Sequence, residues 1–234
     1  MNLHDTLEAN LELERGPLWG VGWADLADER VAAPIGWDDR AADIDWATRM
    51  LTEYGIGPSD HCLVVSDGRD YWPRQVEAAV TDLGGFVGNI NTASYEVRRL
   101  SVYLRYLAPK ILVGVNTNLA EAVGRDEALI SLLRDVPHVW ALPDAVAELH
   151  RAGIAARAFS PIGPALALPC RYGDAAHVDG TQFTVRQHVD GRHIVLTTDP
   201  ARTLQLTDAR VAAAGKVRDR CTCSIDGPVI DLVG

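Results

Sequence analysis

Three of the four cysteines, together with His177, fall between Cys170 and Cys223. Cys221 and Cys223 form a Cys-x-Cys pair, which can present two thiolates from one tight turn. Cys170 and His177 can supply the other two corners of a tetrahedron. Zinc favours four such ligands, and structural sites are usually closed Cys₃His or Cys₄ sets. The separation between the two pairs matches no standard finger. Spacing alone therefore leaves two readings open: a zinc site, or small buried residues grouped by chance.

A second group of candidates follows the first strand of an expected sheet. Asp67, Arg69, Asp70 and Tyr71 stand there, and in open α/β sheets ligands sit beyond the carboxyl ends of the strands. Asp67, Arg69 and Tyr71 are the expected ligand-binding residues; a solvated loop is the alternative. Cys62 after His61 could be an activated thiol, although a buried apolar cysteine is the commoner case. His188 and His193 flank a turn and could be spare metal ligands, although such histidines are more often exposed turn neighbours. Trp19, Trp23 and Trp37 could cap a core or line a pocket. No Gly-x-Ser-x-Gly elbow appears, and no Gly-x-Gly-x-x-Gly follows a strand.

Composition narrows the partners. The formal net charge is −10, which disfavours nucleic acid and offers no basic patch for anionic lipid. The opening MNLHDTLEANLELER has neither a basic n-region nor an apolar h-region, so no secretory signal is expected. No apolar run is long enough to span a bilayer. Four cysteines, two of them one residue apart, do not resemble a disulfide framework, and a reducing cytoplasm is the expected compartment.

The elements that would hold these residues divide into two grammars. Residues 2–15 read as an amphipathic helix, and 16–37 as a loop-rich stretch heavy in Gly, Pro and Trp. From residue 40 to 152 short apolar strands (HCLVVS, GFVGNI, KILVGV and 137–141) alternate with helices. These helices cover 40–54, YWPRQVEAAVTDLG, SYEVRRLSVYLRYLA with Ser94 as its cap, 118–134 and 143–152. That alternation predicts βαβ crossovers and a parallel sheet covered on both faces. After Gly153, AARAF and ALALP read as further strands. TQFTVRQH and HIVLTT flank Val-Asp-Gly-Arg, whose Asp-Gly is a hairpin turn. The expectation is an α/β protein: a parallel sheet flanked by helices in residues 1–153, and a β-rich lobe in 154–234 that carries the Cys/His cluster.

The order of segments resembles the adenylate-forming (acyl-CoA synthetase) superfamily. The stretch from Gly55 to Val115 carries its sequence of turn, strand, helix, Leu-Gly-Gly turn, helix and Pro-Lys before a strand. The last third is similar to phenylacetate-CoA ligase-like proteins. There a Cys and a His follow the Tyr-Gly-x-Thr-Glu motif, and a gly-x-Leu-val-x-Thr strand and a Cys-x-Cys-Gly-Arg turn come next. Here these positions read Cys170, His177, HIVLTT and Cys221-Thr-Cys223-Ser. Some relatives hold zinc with these residues, so the resemblance implies structural zinc on all four.

The departures are equally informative. The resemblance implies a hydroxyl-rich loop that wraps ATP phosphates with backbone N–H groups, but RGPLWGVGWADLADERVAAP has no hydroxyl cluster and no lysine. The Mg²⁺-binding Glu should fall within Phe159–Pro164, where no carboxylate stands. The ribose-binding Asp aligns with Arg210, or with Asp208 if the register slips. The sequence ends at IDLVG, about where the resemblance would place the hinge to a mobile C-terminal domain. Catalysis of adenylation rests on positioning and charge neutralisation, so ATP is not an expected cofactor. The expectation is a non-adenylating protein that binds a small acyl or aromatic molecule, as a homodimer or beside a partner enzyme. The alternative is a repurposed enzyme acting on an already activated acyl or aromatic metabolite.

Overall fold

The computed structural model describes residues 16–218, 221–223 and 225–233; the expected helix over 2–15 lies outside them. The stretch read as a loop is a hairpin. Strands β1 (Leu18–Asp25) and β2 (Arg30–Gly36) pair antiparallel. Inward and outward positions alternate near the end of β1, where Gly22 and Ala24 are buried between exposed neighbours. The Gly and Pro content hid this alternation. Pro34 is tolerated because β2 pairs with a single partner in a two-stranded sheet. Gly22 is required by crowding, since a Cβ there would stand 3.1 Å from Tyr71 Cβ.

Helix α1 (Trp37–Glu53) follows directly. Asp39 Oδ2 reaches back 2.8 Å to accept the Gly36 N–H, closing the first turn. Four crossovers then build the parallel sheet. They run through β3 (His61–Val65), α2 (Trp72–Asp82), β4 (Phe86–Ile90), α3 (Val97–Leu107), β5 (Ile111–Val115), α4 (Thr117–Val123), α5 (Glu127–Arg134), β6 (His138–Ala141), α6 (Pro143–Arg151) and β7 (Ala156–Ala158). The strand order is β4-β3-β5-β6-β7, all parallel. Strands β3 and β5 are apolar almost throughout because helices cover both faces.

One helix boundary departs from the sequence reading. Ser94 opens a short 3₁₀ turn, Ser94–Glu96, and caps nothing. The helices expected around 118–134 are α4 and α5. They divide near Gly124, and Asp126 restarts the chain by accepting the Ala128 and Leu129 N–H groups. AARAF closes the parallel sheet as β7, so the change of grammar falls after Phe159.

The remaining strands are β8 (Ser160–Ile162), β9 (Ala165–Pro169), β10 (Ala176–His177), β11 (Phe183–Gln187), β12 (His193–Thr198), β13 (Ala209–Arg218) and β14 (Val229–Leu232). They form one antiparallel sheet in the order β11-β12-β13-β14-β10-β9-β8. Three apolar clusters hold the protein. One lies under α3 to α6. A second sits between the opposite sheet face, α1, α2 and β9, with Phe159 and Leu168 contributing from the antiparallel side. A third lines the antiparallel sheet itself. Gly114 in β5 has φ +99°, and a Cβ there would lie 2.3 Å from Val65 O. Only glycine lets the β3 and β5 backbones approach this closely. No helix among the described residues is long and apolar enough to cross a membrane.

Candidate functional site

Cys170 directly follows β9, His177 lies in β10, and Cys221 and Cys223 lie between β13 and β14. Pairing of β10 with both β9 and β14 brings the four together. Their ligating atoms all lie within 4.8 Å of one another, so the cluster could hold a metal ion. Cys170 Sγ is 3.6 Å from Cys221 Sγ, and Cys223 Sγ is 3.3 Å from His177 Nε2. Cys170 and His177 are fully buried. The Tyr172 N–H donates to Cys170 Sγ at 3.4 Å. Arg157 donates to the carbonyls of Cys170 and Gly173, which fixes the turn that presents Cys170.

The electrostatics of the ion-free cluster follow from its burial. Burial pushes the Cys170 thiol up to about 12, and hydrogen bonding with Cys221 and Cys223 adds to this. Burial also raises Cys223. At Cys221 burial acts the same way, but hydrogen bonds from Cys223 and Thr222 outweigh it and lower the thiol. Burial lowers His177, favouring the neutral imidazole that a metal requires. His177 Nδ1 is buried without a hydrogen-bond partner among the described residues.

The second feature is a cavity of ≈ 470 Å³ beyond the carboxyl ends of β3, β5 and β6. Asp25, Asp67 and Asp70 line it, with Ser66, Trp72, Asn116, Ser160 and Pro161 among the rest, and none of its described lining residues is Lys or Arg. Asp70 is raised by burial first and by the nearby Asp67 charge second. Arg30 draws the rim together, lying 3.1 Å from Asp25 Oδ1 and 3.0 Å from Asp70 Oδ1.

The three expected ligand-binding residues separate in space. Asp67 lines this cavity. Arg69 is exposed and folds back toward Asp67, whose Oδ1 accepts the Arg69 N–H at 3.0 Å. Tyr71 faces a smaller adjoining cavity of ≈ 70 Å³ with Trp23, Gln75 and Arg202. Asp25 escaped the sequence reading because it belongs to the unrecognised hairpin. Its signal was the position itself, where the resemblance implies a phosphate loop. Asp208 and Arg210 are absent from the cavity's described lining. Asp208 accepts from Thr197 Oγ1 and pairs with Arg186, while Arg210 pairs with Asp28 at 2.7 Å.

Between α1 and the β12–β13 connection sits a buried ion cluster that the sequence did not disclose. Arg202 reaches Asp43 with both terminal nitrogens, at 2.9 and 3.1 Å, and stacks over Phe183 at 4.5 Å. Asp39 lies 3.7 Å from its Nε.

No family model matches the chain, and no curated protein matches it in sequence. Solved structures match its fold. One is 2-hydroxyisobutyryl-CoA ligase in an open conformation with 2-HIB-AMP and CoA, with TM-score 0.66, 16% identity, and 93% of this chain on 58% of that one. Another is malonyl-CoA ligase in a ternary product complex with methylmalonyl-CoA and AMP, with TM-score 0.54, 14% identity, and 92% of this chain on 52% of that one. The chain thus spans between half and three fifths of the length of these structures. Over that share its fold is the one these two ligase structures have.

Proposed function

We propose that this chain is a phenylacetate-CoA ligase-like, non-adenylating protein that binds a small acyl or aromatic molecule beyond the ends of β3, β5 and β6. The carboxylates at that cavity carry the reading: Asp25, Asp67 and Asp70 line it, with no lining Lys or Arg among the described residues. A phosphate oxygen about 4 Å from one such carboxylate meets roughly 1–4 kcal/mol of repulsion, depending on solvent access. Phosphoryl chemistry needs the opposite arrangement, with cations and N–H groups gathered around the phosphates. The β1–β2 turn, where the resemblance implies a phosphate loop, carries Asp28 and Glu29 instead. Phe159, Ser160 and Pro161 occupy the segment expected to carry the metal-binding acid. Trp72, Leu142 and Pro161 leave apolar wall for a compact acyl or aryl body.

Zinc fits the Cys/His cluster by its donor set. Zinc–sulfur bonds of about 2.3 Å and zinc–nitrogen bonds of about 2.0 Å set tetrahedral ligand separations of roughly 3.3–3.8 Å. Two of the separations in the cluster, 3.6 and 3.3 Å, lie in this range. Such an ion would engage His177 through Nε2 and join β9, β10 and the β13–β14 connection.

The non-adenylating reading is tested with nucleotide and acid together. MgATP at millimolar concentration is expected to leave the melting temperature unchanged, since a ligand raises it only by binding the native state. No pyrophosphate exchange is expected with a panel of aryl and acyl acids. Exchange supported by any one acid overturns the reading.

A further inference from the structure

The tip of the β11–β12 hairpin carries a second group of metal-ligating atoms, remote in the sheet order from the Cys/His cluster on β9, β10 and β14. His188 Nδ1 and His193 Nδ1 both face Asp190 Oδ2, at 3.0 and 2.5 Å. All three side chains are about one-third exposed, at 31%, 38% and 35%, so an ion could reach them from solvent. We propose that His188, Asp190 and His193 form a second, exchangeable site for a divalent transition-metal ion.

The turn organises these ligands before any ion arrives. Asp190 Oδ1 accepts the Arg192 and His193 N–H groups at 2.8 and 3.0 Å, which fixes the carboxylate and aims Oδ2 at the two rings. Gln187 Nε2 donates to the His193 carbonyl at 2.9 Å, holding the base of the turn. Gly191 has φ +69°, a conformation suited to glycine at this position. The His188 ring faces two opposed demands. The Asp190 N–H lies 3.4 Å from Nδ1 and requires a lone pair there, whereas Asp190 Oδ2 requires a proton. A bound cation resolves the conflict toward the lone pair and draws all three atoms to itself.

Imidazole nitrogen with one carboxylate oxygen suits Zn²⁺, Ni²⁺ and Cu²⁺ rather than Mg²⁺ or Ca²⁺. Ligand atoms around one zinc stand roughly 3.3 Å apart, and the three here already lie within 4.8 Å of one another. Small side-chain rotations at an exposed turn close that gap. Three protein ligands leave further positions to water, so the ion exchanges readily.

The test is equilibrium dialysis of the full chain against micromolar Zn²⁺, with bound zinc counted per chain. The double variant His188→Gln/His193→Gln is expected to hold one Zn²⁺ fewer than the unaltered protein, whatever the Cys/His cluster holds. Asp190→Asn keeps an oxygen to accept the two turn N–H groups. It should therefore leave the far-ultraviolet circular dichroism unchanged while weakening the second site by about tenfold or more. Co²⁺ separates this site from the Cys/His cluster, because only thiolates give intense sulfur-to-metal charge transfer. Equal zinc in the unaltered protein and the double variant overturns the proposal.

Discussion

The parallel sheet buries both faces under helices, whereas the antiparallel sheet lines a smaller apolar cluster of its own. The bulkiest fully buried side chains, Trp140, Phe159 and Met50, precede the antiparallel strands, whose own Ile162, Leu168, Ile194, Leu196 and Ile230 are equally buried. The core of the antiparallel sheet sets Ala165, Ala167 and Ala176 beside Ile162, Phe183, Ile194, Leu196 and Ile230. Each alanine removes far less apolar surface from water than a leucine does. Specific polar groups compensate: a Cys/His cluster joins β9, β10 and the β13–β14 connection, and Arg202 ties the β12–β13 connection to α1. One fold thus combines bulk burial at one end with a smaller core and a few directed contacts at the other. Losing any one of those contacts should be felt more sharply in the antiparallel part.

The largest test removes the proposed zinc. Apparent zinc free energies in small structural sites are about 10–16 kcal/mol, so even a partial share is large beside a net stability of about 5–15 kcal/mol. Chelation, or Cys221→Ser, is expected to lower the melting temperature by roughly 10 °C or more. Amide protection should fall first in β9, β10 and β14, with β3 and β5 spared. Metal analysis showing no ion, together with full stability, would break the comparison.

Next in size is the ion cluster. Arg202 and Asp43 are 5% and 6% exposed at their side chains. Arg202→Ala leaves an unpaired buried carboxylate, and removing one partner of a buried pair costs about 3–5 kcal/mol. The double variant Arg202→Met/Asp43→Leu removes both charges and should recover most of that loss. Denaturant titration of the two variants measures the difference. Equal destabilisation would mean that packing of the long side chain, rather than its charge, holds the two parts together.

The smallest effect belongs to the parallel side. Lys110 Nζ lies 2.9 Å from Asp60 Oδ2, and this contact leads the causes that hold the Asp60 carboxyl below the usual range. A depressed folded value adds stability above the unfolded carboxylate value, near pH 4. That stability is lost as pH falls through the folded value. Both side chains are partly exposed, so solvent screening keeps the contribution below about 1 kcal/mol. Lys110→Met should slightly flatten the acid limb of the stability curve below about pH 4, read by thermal melts. A loss of several kcal/mol there would mean that the parallel part also depends on directed contacts.

Which parts were legible in the sequence follows the same division. Periodicity exposed β3, β5 and the helices around them, because a doubly covered sheet writes itself as apolar runs. The Asp-Gly turn exposed β11 and β12. Cys170, His177, Cys221 and Cys223 were legible as one group from residue type and order, before any register was known. The β1–β2 hairpin was not, since its Gly, Pro and Trp residues mimic a loop and only crowding against Tyr71 explains Gly22. Asp25 went unseen with it. Arg202 reads as an ordinary loop cation, and nothing local announces that it will be desolvated against a helix formed much earlier in the chain.

The turn between β1 and β2 carries a consequence for motion. Leu26 N–H is bonded to Glu29 O, Ala27 N–H to Arg210 O, and Leu26 pairs across to Val211 in the other sheet. Asp28 adds its ion pair with Arg210. Backbone amides tied in this way exchange their hydrogens only when the cross-sheet bonds open. Asp25, the hairpin residue that lines the cavity, therefore stands beside an anchored turn rather than on a flap. A molecule entering must therefore pass the carboxylate rim as it stands, and its rate of entry should depend on its own charge and on ionic strength.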